Sequence, residues 1–149
     1  MGAAGGWTRR EGGLVTDPVV YEGGCFCRAV RYRLSAHPLR VTHCHCRHCR
    51  GTSGAAFMTW AEFPVRALAW MQGEAATFST RAGVTRSFCG RCGTHLTYRN
   101  EATPGSVDVT AGSLDDPEQV TPRDHVWHDR KLSWVHDDGL PSFPGDRPT

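Results

Sequence analysis

The chain has 149 residues, of which 39% are hydrophobic, and its formal net charge at pH 7 is +2. This length fits one domain. The near-neutral charge argues against a nucleic-acid partner, which usually requires a clearly basic surface. No run approaches the roughly 18 apolar residues of a membrane helix. We therefore expect a cytoplasmic protein without a nucleic-acid or membrane partner.

Three segments are predicted along the chain. Residues 1–17 are rich in glycine and alanine and lack the apolar stretch of a signal peptide, so we expect a disordered tail. Residues 18–144 are predicted to form the folded domain. The prolines that follow Asp137 predict an extended C-terminal segment, in which residues 145–149 are the tail.

Short strand-like runs, most of them ended by Gly, Pro or Asp, dominate the predicted domain. In the run 29–34, Val30, Tyr32 and Leu34 alternate with two arginines, which is typical of a half-buried strand. The predicted strands are 19–22, 29–34, 55–60, 67–70, 75–79, 84–88, 96–99, 107–111 and 125–127. Helical turns are predicted only at 47–52 and 115–119. The predicted fold class is therefore mainly β with short helical turns.

The seven cysteines are the most informative feature of the sequence. Because seven is an odd number, a framework made only of disulfides would leave one cysteine over. Thiols also stay reduced in the cytoplasm, where close cysteine pairs more often bind metal. The cysteines form three clusters, which are Cys25 with Cys27, Cys44 with Cys46 and Cys49, and Cys89 with Cys92.

The grouping of these clusters decides how many metal ions the chain can hold. A structural zinc takes four ligands, and a catalytic zinc takes three and keeps an open position. One short loop can place the three thiols of the central cluster around an open site, and the two outer pairs can then clamp a second zinc. We expect two zinc ions per chain on this division. Two alternatives stay open, a zinc ribbon made by Cys46, Cys49, Cys89 and Cys92, or one zinc with spare cysteines.

Histidines near the central cluster are competing metal ligands. His43, His45 and His48 flank its three cysteines, and each is a ligand, a proton carrier or a polar loop residue. We favour the loop interpretation for each of them. His95 and His125 are weaker candidates, expected to pack or to form hydrogen bonds within the sheet.

The cysteine clusters belong to a longer pattern that resembles the glutathione-dependent formaldehyde-activating enzyme family, which also includes centromere protein V. The resemblance covers about residues 20–144. Its motifs are Gly24-Cys25-x-Cys27, Cys44-His45-Cys46-x-x-Cys49-Arg50, Phe88-Cys89-x-x-Cys92-Gly93, Gly112-x-Leu114-Asp115-Asp116-Pro117, Pro122-x-x-His125-x-Trp127 and Asp138-Gly139-Leu140-Pro141-x-Phe143.

The resemblance implies a β-tent fold of small antiparallel sheets around zinc. It also implies a carbon–sulfur lyase that joins a small thiol and an aldehyde, as in S-hydroxymethylglutathione synthesis. In one respect the chain departs from the family, because Gly51 stands where a second basic residue usually follows Arg50. The implied structural zinc ligands are Cys25, Cys27, Cys89 and Cys92, and the implied ligands of the catalytic zinc, which are also the implied catalytic residues, are Cys44, Cys46 and Cys49.

Two other interpretations come from different functional classes. One is a non-catalytic binding module, as centromere protein V suggests, and the other is a zinc store or thiol sensor that uses the open site. A basic extension would favour the binding module, but only Arg9 and Arg10 stand together in the N-terminal segment. We favour the enzyme, and a homodimer is the assembly we consider for it.

Overall fold

The computed structural model describes residues 18–148, which form ten strands and several short helical segments. The helical segments are α1 (Arg47–Ser53) and the 3₁₀ turns Val65–Ala67, Ala111–Ser113, Pro117–Gln119 and His128–Arg130. The strands are β1 (Tyr21–Gly24), β2 (Arg31–Leu34), β3 (Arg40–Cys44), β4 (Met58–Pro64), β5 (Leu68–Gln72), β6 (Ala76–Phe78), β7 (Val84–Phe88), β8 (His95–Asn100), β9 (Ser106–Thr110) and β10 (Asp124–Val126).

The strands form two sheets. One has three strands in the order β1-β2-β5, and the other has seven in the order β10-β3-β4-β9-β8-β7-β6. Neighbouring strands are antiparallel except β10 and β3, which pair in parallel. A parallel partner needs a long connection, and about 80 residues separate these two strands. The mainly β class is confirmed, with this parallel pair as a departure from the antiparallel expectation.

The described residues also show where the predicted elements were wrong. Strand β3 was not predicted, because only Val41 breaks its polar run and the two-residue alternation is too short to see. The run 55–60 was placed too early, since its strand begins at Met58. By contrast, the helical turn predicted at 115–119 is confirmed as a 3₁₀ turn at Pro117–Gln119, in which the Asp116 side chain accepts a hydrogen bond from the Glu118 N–H.

The main apolar core lies between the two sheets. Buried side chains from both sheets meet there, and Cys25 and Cys89 belong to the same cluster. Burying each large apolar side chain contributes about 1.5–3 kcal/mol. A smaller cluster, formed by Cys44, Cys49, Trp60 and Val126, lies elsewhere. The largest fully buried apolar residues of the main core are Tyr32, Leu34, Phe63, Leu96, Val107 and Val109.

The segment after Asp137, which was predicted as an extended tail, is paired with the domain. The N–H of Phe143 donates to the His125 carbonyl and the N–H of His125 donates to the Pro141 carbonyl, both at 2.9 Å. The N–H of Trp127 donates to the Gly145 carbonyl at 2.7 Å. A bridge between His125 and Ser142 continues the sheet beyond β10. The boundary at residue 145 stays a prediction, and the tail predicted at 1–17 lies outside the described residues. Within residues 18–148, no helix has the length and hydropathy to span a membrane.

Candidate metal centres

Two turns, one from each sheet, bring four cysteines together. Cys25 and Cys27 lie in the turn between β1 and β2, and Cys89 and Cys92 lie in the turn between β7 and β8. The turns are joined directly, because the N–H of Phe26 donates to the Thr94 hydroxyl at 3.0 Å. This cluster therefore connects the three-stranded sheet to the seven-stranded sheet.

Both turns reverse by the same device. A residue in the left-handed region directly follows the second cysteine of each pair, Arg28 at φ 63° and Gly93 at φ 79°. In the first turn, the N–H of Val30 donates to Cys25 Sγ at 3.2 Å. In the second, the N–H of Gly93 donates to the Cys89 carbonyl at 2.8 Å. These turns direct both sulfurs of each pair toward one point.

The four sulfurs fit a tetrahedral zinc ion. All four lie within 4.8 Å of one another, with Sγ–Sγ distances of 3.6 Å from Cys25 to Cys27 and 3.8 Å from Cys27 to Cys89. A zinc–sulfur distance of about 2.3 Å separates neighbouring sulfurs of a tetrahedron by about 3.8 Å. Hydrogen bonds from Thr94 also lower the pKa of Cys92 to about 5, which favours the thiolate that binds metal.

The central cluster is built at the junction of β3 and α1. Cys44 ends β3, Cys46 caps the N-terminus of α1, and Cys49 lies in its first turn. The N–H of Cys49 donates to Cys46 Sγ at 3.3 Å, and the three sulfurs lie within 4.8 Å of one another. Gly54 ends the helix at φ 71°, and its N–H donates to the Arg50 carbonyl. Three thiols on one short loop also fit zinc, with a fourth position left for another ligand.

A cavity of about 460 Å³ opens beside the central cluster. All three cysteines of that cluster line it, whereas none of the four cysteines in the other cluster does. Its floor is one face of the seven-stranded sheet, and the opposite face of the same strands carries Val41, Ala61 and Val109 into the core. Among the residues that the structure describes, the two clusters therefore differ in their access to this cavity, since the central cluster borders it and the four-cysteine cluster does not.

The charge around the central cluster is arranged by neighbouring thiols and one arginine. Hydrogen bonds from Cys44 and Cys49 lower the pKa of Cys46 to about 2, which favours a thiolate there. Arg86 is 3% exposed, and its Nη2 donates to Cys49 Sγ at 3.6 Å. Its guanidinium lies over the Tyr98 ring at 5.0 Å and near that of Trp60. A buried positive charge beside the sulfurs stabilises their ionised forms.

A chain of hydrogen bonds runs behind the cluster. His45, between two cysteines in sequence, is fully buried, and its Nε2 is 2.8 Å from His125 Nδ1. His125 Nε2 is in turn 2.9 Å from Asp138 Oδ1. Burial lowers the pKa of His45 to about 4, helped by the nearby His125 and His128. His45 is therefore neutral near pH 7 and serves as a fixed support of the loop.

The other residues singled out from the sequence lie in different places. His43 Nδ1 is 2.8 Å from the Thr59 hydroxyl, and His48 lies on the cavity wall. Within residues 18–148, no histidine joins either group of metal-capable side chains. Arg50 borders a separate, shallower depression that also contains Trp134, and Gly51 is exposed. Gly51, which stands where the family usually has a second basic residue, therefore lies outside the lining of the cavity.

Arg86 was not among the residues that the sequence singled out, and Asp138 belonged to a motif of the resemblance but was given no role at the site. Arg86 occupies β7 two residues after the buried Val84, so the strand alternation already placed it on an inward-pointing face. The alternation therefore indicated that Arg86 points inward, but it did not indicate that Arg86 contacts Cys49. The link from Asp138 to the cluster depends on the pairing of the C-terminal segment with β10, which sequence patterns do not show.

Three comparisons with known proteins agree with this architecture. The family model of the glutathione-dependent formaldehyde-activating enzyme matches residues 20–130. A Halomonas elongata protein with the provisional name glutathione-dependent formaldehyde-activating enzyme is 30% identical over 126 residues, covering 78% of this chain and 80% of its own. A crystal structure of a Rhodobacter sphaeroides protein has a TM-score of 0.54 at 18% identity, covering 82% of this chain and 99% of its own, which supports the fold alone.

Proposed function

The chain belongs to the glutathione-dependent formaldehyde-activating enzyme family, and on that premise we propose that it is a zinc-dependent carbon–sulfur lyase acting on a small thiol and an aldehyde. The proposed reaction joins the thiol sulfur to the aldehyde carbon, and the thiol proton ends on the former carbonyl oxygen. With formaldehyde the product is an S-hydroxymethyl thiol. Seven free thiols suit a reducing compartment, and we propose that the enzyme acts in the cytoplasm.

The unequal access of the two cysteine clusters carries this proposal. Cys44, Cys46 and Cys49 border the cavity of about 460 Å³, and the four-cysteine cluster does not. We assign the three-cysteine cluster to a catalytic zinc with an open position, and the four-cysteine cluster to a structural zinc. A zinc ion in the open cluster would lower the pKa of a bound thiol and polarise a carbonyl oxygen.

The residues of the chain supply orientation and charge. The cavity holds the two reactants next to each other, which converts an encounter between separate molecules into a local one. Arg86 opposes the negative charge that accumulates on the sulfurs, and the rings of Trp60 and Tyr98 hold its guanidinium in place. We assign to His48, which lies on the cavity wall, the exchange of a proton with the adduct oxygen.

The first experiment counts metal in the purified protein and in two variants of Cys46. We expect about two zinc ions in the wild type and about one in Cys46→Ala. Since Cys46 Sγ also accepts a hydrogen bond from the Cys49 N–H, Cys46→Ser is the matched variant that keeps a cap on α1. Its zinc count should also fall. A wild-type count of one would contradict the division into two sites.

The second experiment measures the reaction itself. Exchange between formaldehyde and the adducts of several small thiols can be followed by NMR, above the uncatalysed rate. We expect the wild type to accelerate exchange for at least one thiol and both Cys46 variants to fall to the buffer rate. Equal rates for wild type and Cys46→Ser would reject the lyase. Two bound zinc ions without acceleration for any thiol would instead indicate a non-catalytic zinc module or a zinc store.

A further inference from the structure

A row of polar side chains crosses the floor of the cavity. Five neighbouring strands place one residue each directly opposite the next, and residues opposite each other project from the same face of a sheet. All five line the cavity beside the central cysteines. In order from β3 to β7, the row is Arg40, Glu62, Asp108, Tyr98 and Arg86.

Two carboxylates are neighbours in the middle of this row. Glu62 and Asp108 lie directly opposite each other on β4 and β9, and like charges in that position are destabilising. Arg40 forms an ion pair with Glu62. Within residues 18–148, no side chain forms a hydrogen bond with the carboxylate of Asp108. Burial and the charge of Glu62 raise the pKa of Asp108 to about 7. Among the described residues, Arg40 is thus the one cation that forms an ion pair with either of these two carboxylates.

A second observation concerns Arg86, another residue of the same cavity lining, two of whose N–H groups are unpaired. Arg86 is 97% buried, yet its Nε and Nη1 have no hydrogen-bond partner among the described residues. A buried guanidinium usually has its N–H groups paired, because leaving them unpaired is costly. The carboxylate pair in the middle of the row and Arg86 at its β7 end therefore both have polar groups that a bound molecule could satisfy.

We propose that Glu62 and Asp108 form an ammonium-binding subsite, so that the thiol accepted by this cavity carries a primary amine. Arg86 contacts Cys49, and Asp108 lies two strands away from it. Neighbouring strands are about 4.8 Å apart, so Asp108 lies on the order of 10 Å from Arg86 across the sheet and Glu62 lies one strand farther. A thiol whose sulfur is at the central cluster would place an ammonium at this distance only if a flexible chain joins the two groups.

This inference rests on the proposed function for the position of the sulfur, but its test uses binding as well as turnover. The probes are glutathione, its N-acetyl derivative, and the same pair with the cysteine side chain replaced by ethyl, which removes the sulfur. Binding to the zinc-loaded protein is measured by calorimetry. Because a charged hydrogen bond is lost, N-acetylation should weaken binding at least about tenfold.

Variants of single carboxylates test which residues cause the preference for the free amine over its N-acetyl derivative. In Asp108→Asn, we expect the free amine and the N-acetyl derivative to bind within about twofold of each other. Glu62→Gln should reduce the preference as well, and Glu74→Gln, which removes an exposed carboxylate outside the cavity, should leave it unchanged. The inference is wrong if both forms bind the wild type equally or not at all, or if Asp108→Asn keeps the preference.

The two proposals fail in different ways. A preference for the free amine in the sulfur-free pair, without any acceleration of formaldehyde exchange, would retain the ammonium subsite and reject the lyase. Equal acceleration with glutathione and its N-acetyl derivative would retain the lyase and reject the subsite.

Discussion

At the scale of single residues, Asp108 shows how one side chain can serve binding at the expense of stability. Its carboxyl lies opposite Glu62 in a cavity, and burial raises its pKa to about 7, compared with about 3.9 in an unfolded chain. Between these two values the folded protein holds a proton that the unfolded chain has lost. The free energy of unfolding contributed by this group therefore falls as the pH rises from about 4 to about 7.

Replacing Asp108 by asparagine removes this dependence. We expect the stability of Asp108→Asn relative to wild type to increase by about 2 kcal/mol between pH 5.5 and pH 8. Urea unfolding of zinc-loaded wild type and variant at both pH values measures the change. Glu74→Gln controls for the loss of one negative charge. A relative stability that stays constant between the two pH values would show that Asp108 ionises as freely in the folded protein as in the unfolded chain.

At the scale of elements, α1 depends on how it begins and ends. Cys46 caps its first turn, and Gly54 ends it in the left-handed region at φ 71°, with no atom within 4 Å of an added Cβ. A substitution there tests backbone conformation alone. Gly51 offers the matched position, because it lies inside the same helix with equally open surroundings.

These two glycines should respond in opposite directions. Gly54→Ala should destabilise the protein by about 1 kcal/mol, because a left-handed conformation is costly for alanine. Gly51→Ala should stabilise it by about 0.5–1 kcal/mol, because alanine favours the helix interior. Thermal unfolding of both zinc-loaded variants makes the comparison. If both substitutions changed stability in the same direction, the left-handed end of α1 would not be a constraint in solution.

The elements also show what the sequence could predict. The two groups of cysteines could be predicted from their spacing. One short loop holds three thiols, and the two remaining pairs then combine with each other to give four. The strand 84–88 was predicted from its alternation and observed at the same bounds. The polar row on the cavity floor was not predictable, because it depends on the registers of five strands and on β3, which has too few apolar residues to be seen. Register between distant strands is decided by tertiary packing.

At the scale of the whole molecule, the four-cysteine cluster joins the two sheets. One of its turns belongs to the three-stranded sheet and the other to the seven-stranded sheet, and Cys25 and Cys89 are buried in the core between them. A metal there would hold together parts of the chain that are about 60 residues apart. Closing so long a loop strongly reduces the conformational entropy of the unfolded chain. The central cluster lies on a single short loop and has no such role.

Cys89→Ala and Cys44→Ala should therefore differ in their effect on stability, although each removes one buried thiol. We expect Cys89→Ala to lower the Tm by more than about 10 °C, because losing a structural metal costs several kcal/mol. Cys44→Ala should lower it by only a few degrees and bind one zinc fewer. Calorimetric melting with metal analysis measures both. Equal losses of Tm would contradict the assignment of a structural and a catalytic site.

The parallel pairing of β10 with β3 has a consequence for synthesis of the chain. The four outer cysteines are all present once residue 92 has emerged from the ribosome, and the thiols of the central cluster emerge by residue 49. However, the strand that pairs with Cys44 ends at Val126, and Trp127, Arg130 and Arg147 complete the cavity wall still later. Since N-terminal parts fold first during synthesis, the two sheets can be joined before the cavity beside the central cluster exists. During this interval the thiols of the central cluster are exposed to cellular metals and oxidants. They stay exposed until the last fifth of the chain has been made and has folded over them.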